Sequence, residues 1–104
     1  MNDSKIFKIF TPLQWENFQR SGVFHGSELD IKDGFIHLSF FNQWKSTWDK
    51  FFNKAEIYLV ELHNLNLQLL KIEANKPCGT QYPHYYSDSL TRENVKEVTK
   101  ILAD

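Results

Sequence analysis

Three side chains suited to acid–base or ribose chemistry stand apart from their neighbours. They are His37 in Asp33-Gly34-Phe35-Ile36-His37-Leu38-Ser39, His84 in Tyr82-Pro83-His84-Tyr85-Tyr86, and Glu73 at the end of an apolar run. Histidine is well matched to proton transfer near neutral pH, and it also hydrogen-bonds a ribose hydroxyl or a phosphate. Tyr82, Tyr85 and Tyr86 can stack on a base or nicotinamide ring and still offer a hydroxyl. Glu73 can orient a sugar hydroxyl or stabilise a developing positive charge. A plainer reading stands beside this one: a hydrogen-bonded sheet histidine, a surface cluster of tyrosines and a solvated strand end.

Other chemistries find less support. His25, His37, His63, His84 and Cys78 show no i, i+4 or Cys-x-x-Cys spacing, so no metal is expected. Cys78 sits in a Pro-Cys-Gly turn with no base beside it and reads as an inert thiol. With four glycines and no G-x-G-x-x-G or P-loop pattern, the common dinucleotide and P-loop folds are excluded. The formal charge of −1 gives no general pull toward nucleic acid or an anionic membrane. A single cysteine rules out an intramolecular disulfide and fits a reducing cytosol. The N-terminus lacks an apolar signal core, and no run approaches the roughly 20 apolar residues that span a bilayer. A cytoplasmic protein with no membrane contact is the expectation.

The elements that must position these side chains can be read from spacing. The 104 residues suit one domain spanning 1–104, and the 41% hydrophobic and 15% aromatic content marks a folded chain. Lys5–Phe10 reads as a first strand. Thr11-Pro12-Leu13-Gln14 carries a helix start, with Thr11 as cap, Pro12 in the first turn and Gln14 reaching back. That helix runs to about Arg20 and stops at Gly22, with Trp15 and Phe18 toward the core. Residues 22–34 read as a loop or a broken short helix. In the strand at 35–39, Phe35, His37 and Ser39 share one face and Ile36 and Leu38 the other. A second helix covers 43–53, where Trp44, Trp48, Phe51 and Phe52 form a stripe assigned to the core. Strands are expected at 56–62 and 67–74, with turn chemistry at 75–81. Residues 91–102 fit either a helix, through Val95, Val98 and Leu102, or a turn and a strand. The order β-α-β-α-β-β-β predicts a mixed α+β domain with two main helices.

Taken together, Ile6-Phe7-Lys8-Ile9, Trp15, Asp33-Gly34-Phe35-Ile36-His37-Leu38-Ser39, Gln43, Phe51-Phe52, Glu73, Tyr82-Pro83-His84-Tyr85-Tyr86, Leu90 and Val95 resemble the small bacterial family called domain of unknown function 952. Ser87 stands where that pattern has a glycine. The resemblance implies an ADP-ribosyltransferase-like fold: a split β-sheet core that grips NAD in a cleft. The layout is also similar to RNA 2′-phosphotransferases, which carry a His-aliphatic-Ser strand. It implies NAD or another nucleotide-like ligand. Lys8 falls at the first-strand position that usually supplies arginine or histidine. His37 and Ser39 fall on the second strand, and Glu73 matches the catalytic glutamate. On that analogy Glu73, His37 and His84 are the expected catalytic set, with Lys8, Ser39, Tyr82, Tyr85 and Tyr86 holding ligand. A binding module without catalysis and a protein-interaction domain are the alternatives, since fold does not transfer activity.

Overall fold

The computed structural model describes residues 5–74 and 79–104. Cys78 and most of the expected turn at 75–81 lie outside the described residues. The first strand, β1 (Ile6–Phe10), leads directly into helix α1 (Pro12–Ser21). Thr11 and Gln14 close a reciprocal capping box, Pro12 opens the first turn, and Gly22 ends the helix at φ 83°. The left-handed φ favours glycine there, and a Cβ would also displace the Arg92 guanidinium, 2.3 Å away.

The stretch read as a loop or broken helix holds a short strand, β2 (Val23–Phe24), and a third helix, α2 (Glu28–Asp33). Ser27 and Asp30 cap α2 reciprocally, and Gly34 ends it at φ 87°. The expected strand at 35–39 is two pieces, β3 (Ile36–His37) and β4 (Ser39–Phe40). Helix α3 (Trp44–Phe52) follows, then β5 (Ile57–Leu62). Residues 67–69 form a 3-10 turn rather than strand, and β6 (Leu70–Ala74) begins after it. The chain ends with β7 (Gln81–Tyr85), β8 (Leu90–Thr91), a 3-10 turn at 92–94 and β9 (Val95–Ile101). The helical alternative for 91–102 is thereby overturned. Pairing of β9 along β5 supplies what the local pattern could not.

Among the described residues the fold is mixed α+β with three helices and antiparallel sheets, one helix more than expected. A four-stranded sheet has the order β4-β1-β5-β9, a three-stranded sheet β3-β7-β6, and β2 pairs with β8. Leu38 is the joint between the first two. On one side of it β3 pairs with β7, and on the other β4 pairs with β1. The Leu38 N–H donates to the Pro83 carbonyl at 3.1 Å.

Two cores lie on opposite faces of the larger sheet, as alternation demands. Phe10, Val60 and Leu62 pack with Phe18, Phe24, Ile36, Leu38, Tyr85 and Leu90. Trp15 borders this core, so both predicted α1 anchors face it. Phe7, Ile9, Ile57 and Leu59 pack under Trp44, with Trp48 and Phe52 against them. Phe51 departs from the expected stripe: it is 69% exposed, because its side chain overhangs a hollow beside β4 instead of the sheet. Among the described residues, no helix is long and apolar enough to cross a membrane.

Candidate functional site

Alternation along β7 turns Pro83 and Tyr85 to the core and Tyr82 and His84 to the other face. Register then adds neighbours. His84 lies opposite His37 on β3 and opposite Lys71 on β6, and Tyr82 lies opposite Glu73. With Phe35 and Tyr86 at the strand ends, these residues form one continuous polar and aromatic face.

Phe35 is the centre of that face. Its ring stacks on His84 with centroids 4.0 Å apart and lies 4.5 Å from His37 and 5.2 Å from Tyr86. The two histidine rings are 5.9 Å apart. His84 is buried, and its Nδ1 lies 2.9 Å from Glu73 Oε1. The same oxygen accepts a short hydrogen bond from the Tyr86 hydroxyl. The Tyr86 bond first, then the His84 bond, holds the Glu73 carboxyl below its ordinary value, and Glu73 in turn raises the Tyr86 phenol. Glu73 is therefore an ionised carboxylate at neutral pH. It suits stabilising a positive charge and cannot donate a proton there.

His37 is held differently. Its Nδ1 lies 2.6 Å from Asp30 Oδ1 and its Nε2 lies 3.0 Å from Asp33 Oδ2. Each ring nitrogen thus faces a carboxylate oxygen within hydrogen-bond distance. In this arrangement both ring nitrogens are engaged within the protein. Among the described residues, no three metal-ligating side chains converge.

Asp30 is the residue that sequence reasoning missed. It is buried, and it accepts from the Ser27 and His37 backbone N–H groups, from His37 Nδ1 and from Lys8 Nζ at 3.0 Å. Burial pushes its carboxyl up, but the His37 bond, the Lys8 charge and the two backbone donors outweigh this and hold it well below the usual carboxylate range. Lys8 is also buried and gives a second hydrogen bond to the His37 carbonyl. Burial pulls its ammonium below the ordinary value, and Asp30 offsets only part of the shift. The Ser27-x-x-Asp30 spacing was the available signal, since it is a capping pattern. The distant partners Lys8 and His37 left no local trace.

Beside His37, a hollow of about 100 Å³ is lined by Lys8, His37, Ser39 and Tyr82, with Thr47, Phe51 and Phe52 from α3. Ser39 is 6% exposed, and among the described residues its hydroxyl has no hydrogen-bond partner. Gln43 braces the wall. Its side chain accepts from the Phe40 N–H and donates to the Gln81 carbonyl, joining the start of α3 to β7.

The fold thus brings Lys8, His37, Ser39 and Tyr82 to one hollow, and Glu73, His84 and Tyr86 to the face beside it. Tyr85, expected with the ligand group, lies elsewhere. It is buried in the first core, and its hydroxyl accepts from the Asn66 N–H at 3.0 Å. One residue of register sends it behind the sheet. His25 contacts the Asp88 carbonyl at 3.3 Å and stays apart from the site.

The crystal structure of CC0527 from Caulobacter crescentus is 33% identical over 93% of this chain and 85% of that one, with a TM-score of 0.80. The solution structure of the same protein is 34% identical over 91% and 82%, with a TM-score of 0.78. No curated protein matches the sequence. The family described as Protein of unknown function (DUF952) matches residues 9–98, and the chain belongs to it.

Proposed function

We propose that this face binds an ADP-ribose-type nucleotide and that, with NAD as substrate, it acts as an ADP-ribosyltransferase-like enzyme. The carrying observation is the hollow that Lys8, His37 and Tyr82 line together with Ser39, whose hydroxyl makes no hydrogen bond among the described residues and so is open to a ligand. A ligand hydroxyl or phosphate oxygen entering the hollow would find that hydroxyl available as donor or acceptor. The hollow is far below the roughly 300–1,000 Å³ that enclose a whole ligand, so it takes one ring-sized fragment. The remainder would lie along Phe35, Tyr82 and Tyr86. Glu73, ionised and fixed by His84 and Tyr86, suits the oxocarbenium-like charge that develops as the nicotinamide–ribose bond breaks. The two sheets joined at Leu38 are compatible with the split core of such enzymes.

A second reading, binding without turnover, rests on a specific observation. The Lys8 ammonium and both His37 ring nitrogens are already committed within the protein. NMR titration with NAD and ADP-ribose, following amides 35–39 and 81–86, combined with a nicotinamide-release assay, separates the readings. The enzyme reading expects saturable shifts at both segments and release that falls about 100-fold or more in Glu73→Gln. Saturable shifts without release leave the binding module. No shifts at millimolar ligand would overturn both.

A further inference from the structure

A second hollow, on the other face of β1, has a different chemistry. Phe7 turns away from Lys8 and, with Phe41 and Trp44, forms aromatic walls around a cavity of about 310 Å³. The Phe7 and Phe41 rings lie 5.7 Å apart at an interplanar angle of 50°. Leu59, Thr99 and Ile101 complete the apolar side, and Glu61 and Glu97, opposite each other on β5 and β9, add two carboxylates.

Glu61 is the informative residue. It shares the face of Ile57 and Leu59, and its side chain is only 7% exposed. Among the described residues, no hydrogen-bond donor reaches its carboxylate. Its charged neighbour is Lys96 Nζ at 3.7 Å, on a side chain that is itself more than half exposed. A carboxylate at the wall of a cavity, held only by a loose ion pair, keeps acceptor capacity for a cation that enters. Aromatic faces attract cations through their quadrupole, and the Trp44 ring already has Lys45 Nζ 5.8 Å from its centroid. Lys5 lines the cavity as well, so a ligand must compete with Lys5 and Lys96 for the two carboxylates.

We propose that this cavity is a binding site for a small organic cation bearing an alkylated ammonium group. The methyl groups pack on Phe7, Phe41 and Trp44 while the charge faces Glu61 and Glu97. An inorganic cation would leave the aromatic walls unused, and a neutral apolar ligand would leave Glu61 without a close partner. The site is separate from the face around His37 and His84 and does not depend on the function proposed for that face.

Choline and its uncharged isostere, in which carbon replaces nitrogen, are the probes for the full-length protein. Amide and indole NMR signals of Phe7, Phe41, Trp44, Glu61 and Glu97 are followed. Choline is expected to give saturable shifts there, with the isostere at least about tenfold weaker. Glu61→Gln is expected to weaken choline about tenfold, and Phe41→Ala, at a half-exposed ring, about two- to fivefold. If Glu61→Gln does not fold, Glu97→Gln, on an exposed strand position, takes its place with the same expectation. Equal affinity for the isostere, shifts centred on 35–39 instead, or no saturation at tens of millimolar would each overturn the proposal.

Discussion

Asp30 Oδ1 lies 2.6 Å from His37 Nδ1 and 3.0 Å from the same residue's backbone N–H, so one carboxylate oxygen fixes both the ring and the strand that carries it. The other oxygen caps α2 through Ser27 and receives Lys8. The posture of His37 and the start of a helix are therefore set by one side chain.

Removing that side chain should cost more than removing its cation. Asp30→Ala leaves the Lys8 ammonium buried without its charge partner and is expected to destabilise the fold by about 3–5 kcal/mol. Lys8→Met leaves Asp30 with its three other donors and should cost about 1–3 kcal/mol. Urea unfolding of the two variants checks the order, and an equal or reversed ranking would count against this account of the network.

Acid should weaken the fold through the same carboxylate. Asp30 titrates below an unfolded aspartate, so between the two values the unfolded chain holds more protons. Its contribution is complete above about pH 4, the unfolded value, and is lost as pH falls toward the folded one. Asp30→Asn should flatten this acid limb in a stability–pH profile. An unchanged limb would place the effect on other carboxylates.

Ser39→Ala should separate stability from binding. No described hydrogen bond is lost, so stability should stay within about 0.5 kcal/mol or rise slightly. Affinity for ADP-ribose should fall about five- to tenfold, the worth of one hydrogen bond. Tyr85→Phe should do the converse. It loses the bond from Asn66 and about 1 kcal/mol of stability while leaving nucleotide shifts at 35–39 intact.

At alkaline pH the reporter is Tyr86. Its phenol is raised by the hydrogen bond to Glu73, so among the four tyrosines it should ionise later than an ordinary one. Glu73→Gln should bring it back toward about 10. Isotope-labelled tyrosine ring carbons followed by NMR give the answer directly, and a titration unmoved by the substitution would deny the Glu73–Tyr86 contact.

What could be read in advance was local. The Thr11-Pro12-Gln14 start and Gly22 stop of α1 depend on neighbours in sequence, and so does the parity that sets Ile36 and Leu38 against His37 and Ser39. The sequence grouped Tyr82, Tyr85 and Tyr86 around His84, but strand parity places Tyr85 behind the sheet, where its ring packs and its hydroxyl meets Asn66. What escaped depends on distant partners. Asp30 gains its role from residues 22 positions before it and 7 after, and β9 becomes a strand because β5 offers it an edge. Phe51 fits a helical stripe and still stands in solvent, because its side chain borders the hollow beside β4 instead of the sheet.

Leu38 has a mechanical consequence. His37 is paired in the small sheet and Ser39 in the large one, and a single residue separates them. The width of the hollow between them therefore depends on the angle between the sheets, and a roll of one against the other would change it. A ligand fragment seated there would act as a wedge that holds the angle. Its arrival should register as slower hydrogen exchange at the Leu38 amide, which is bonded to Pro83 across that joint.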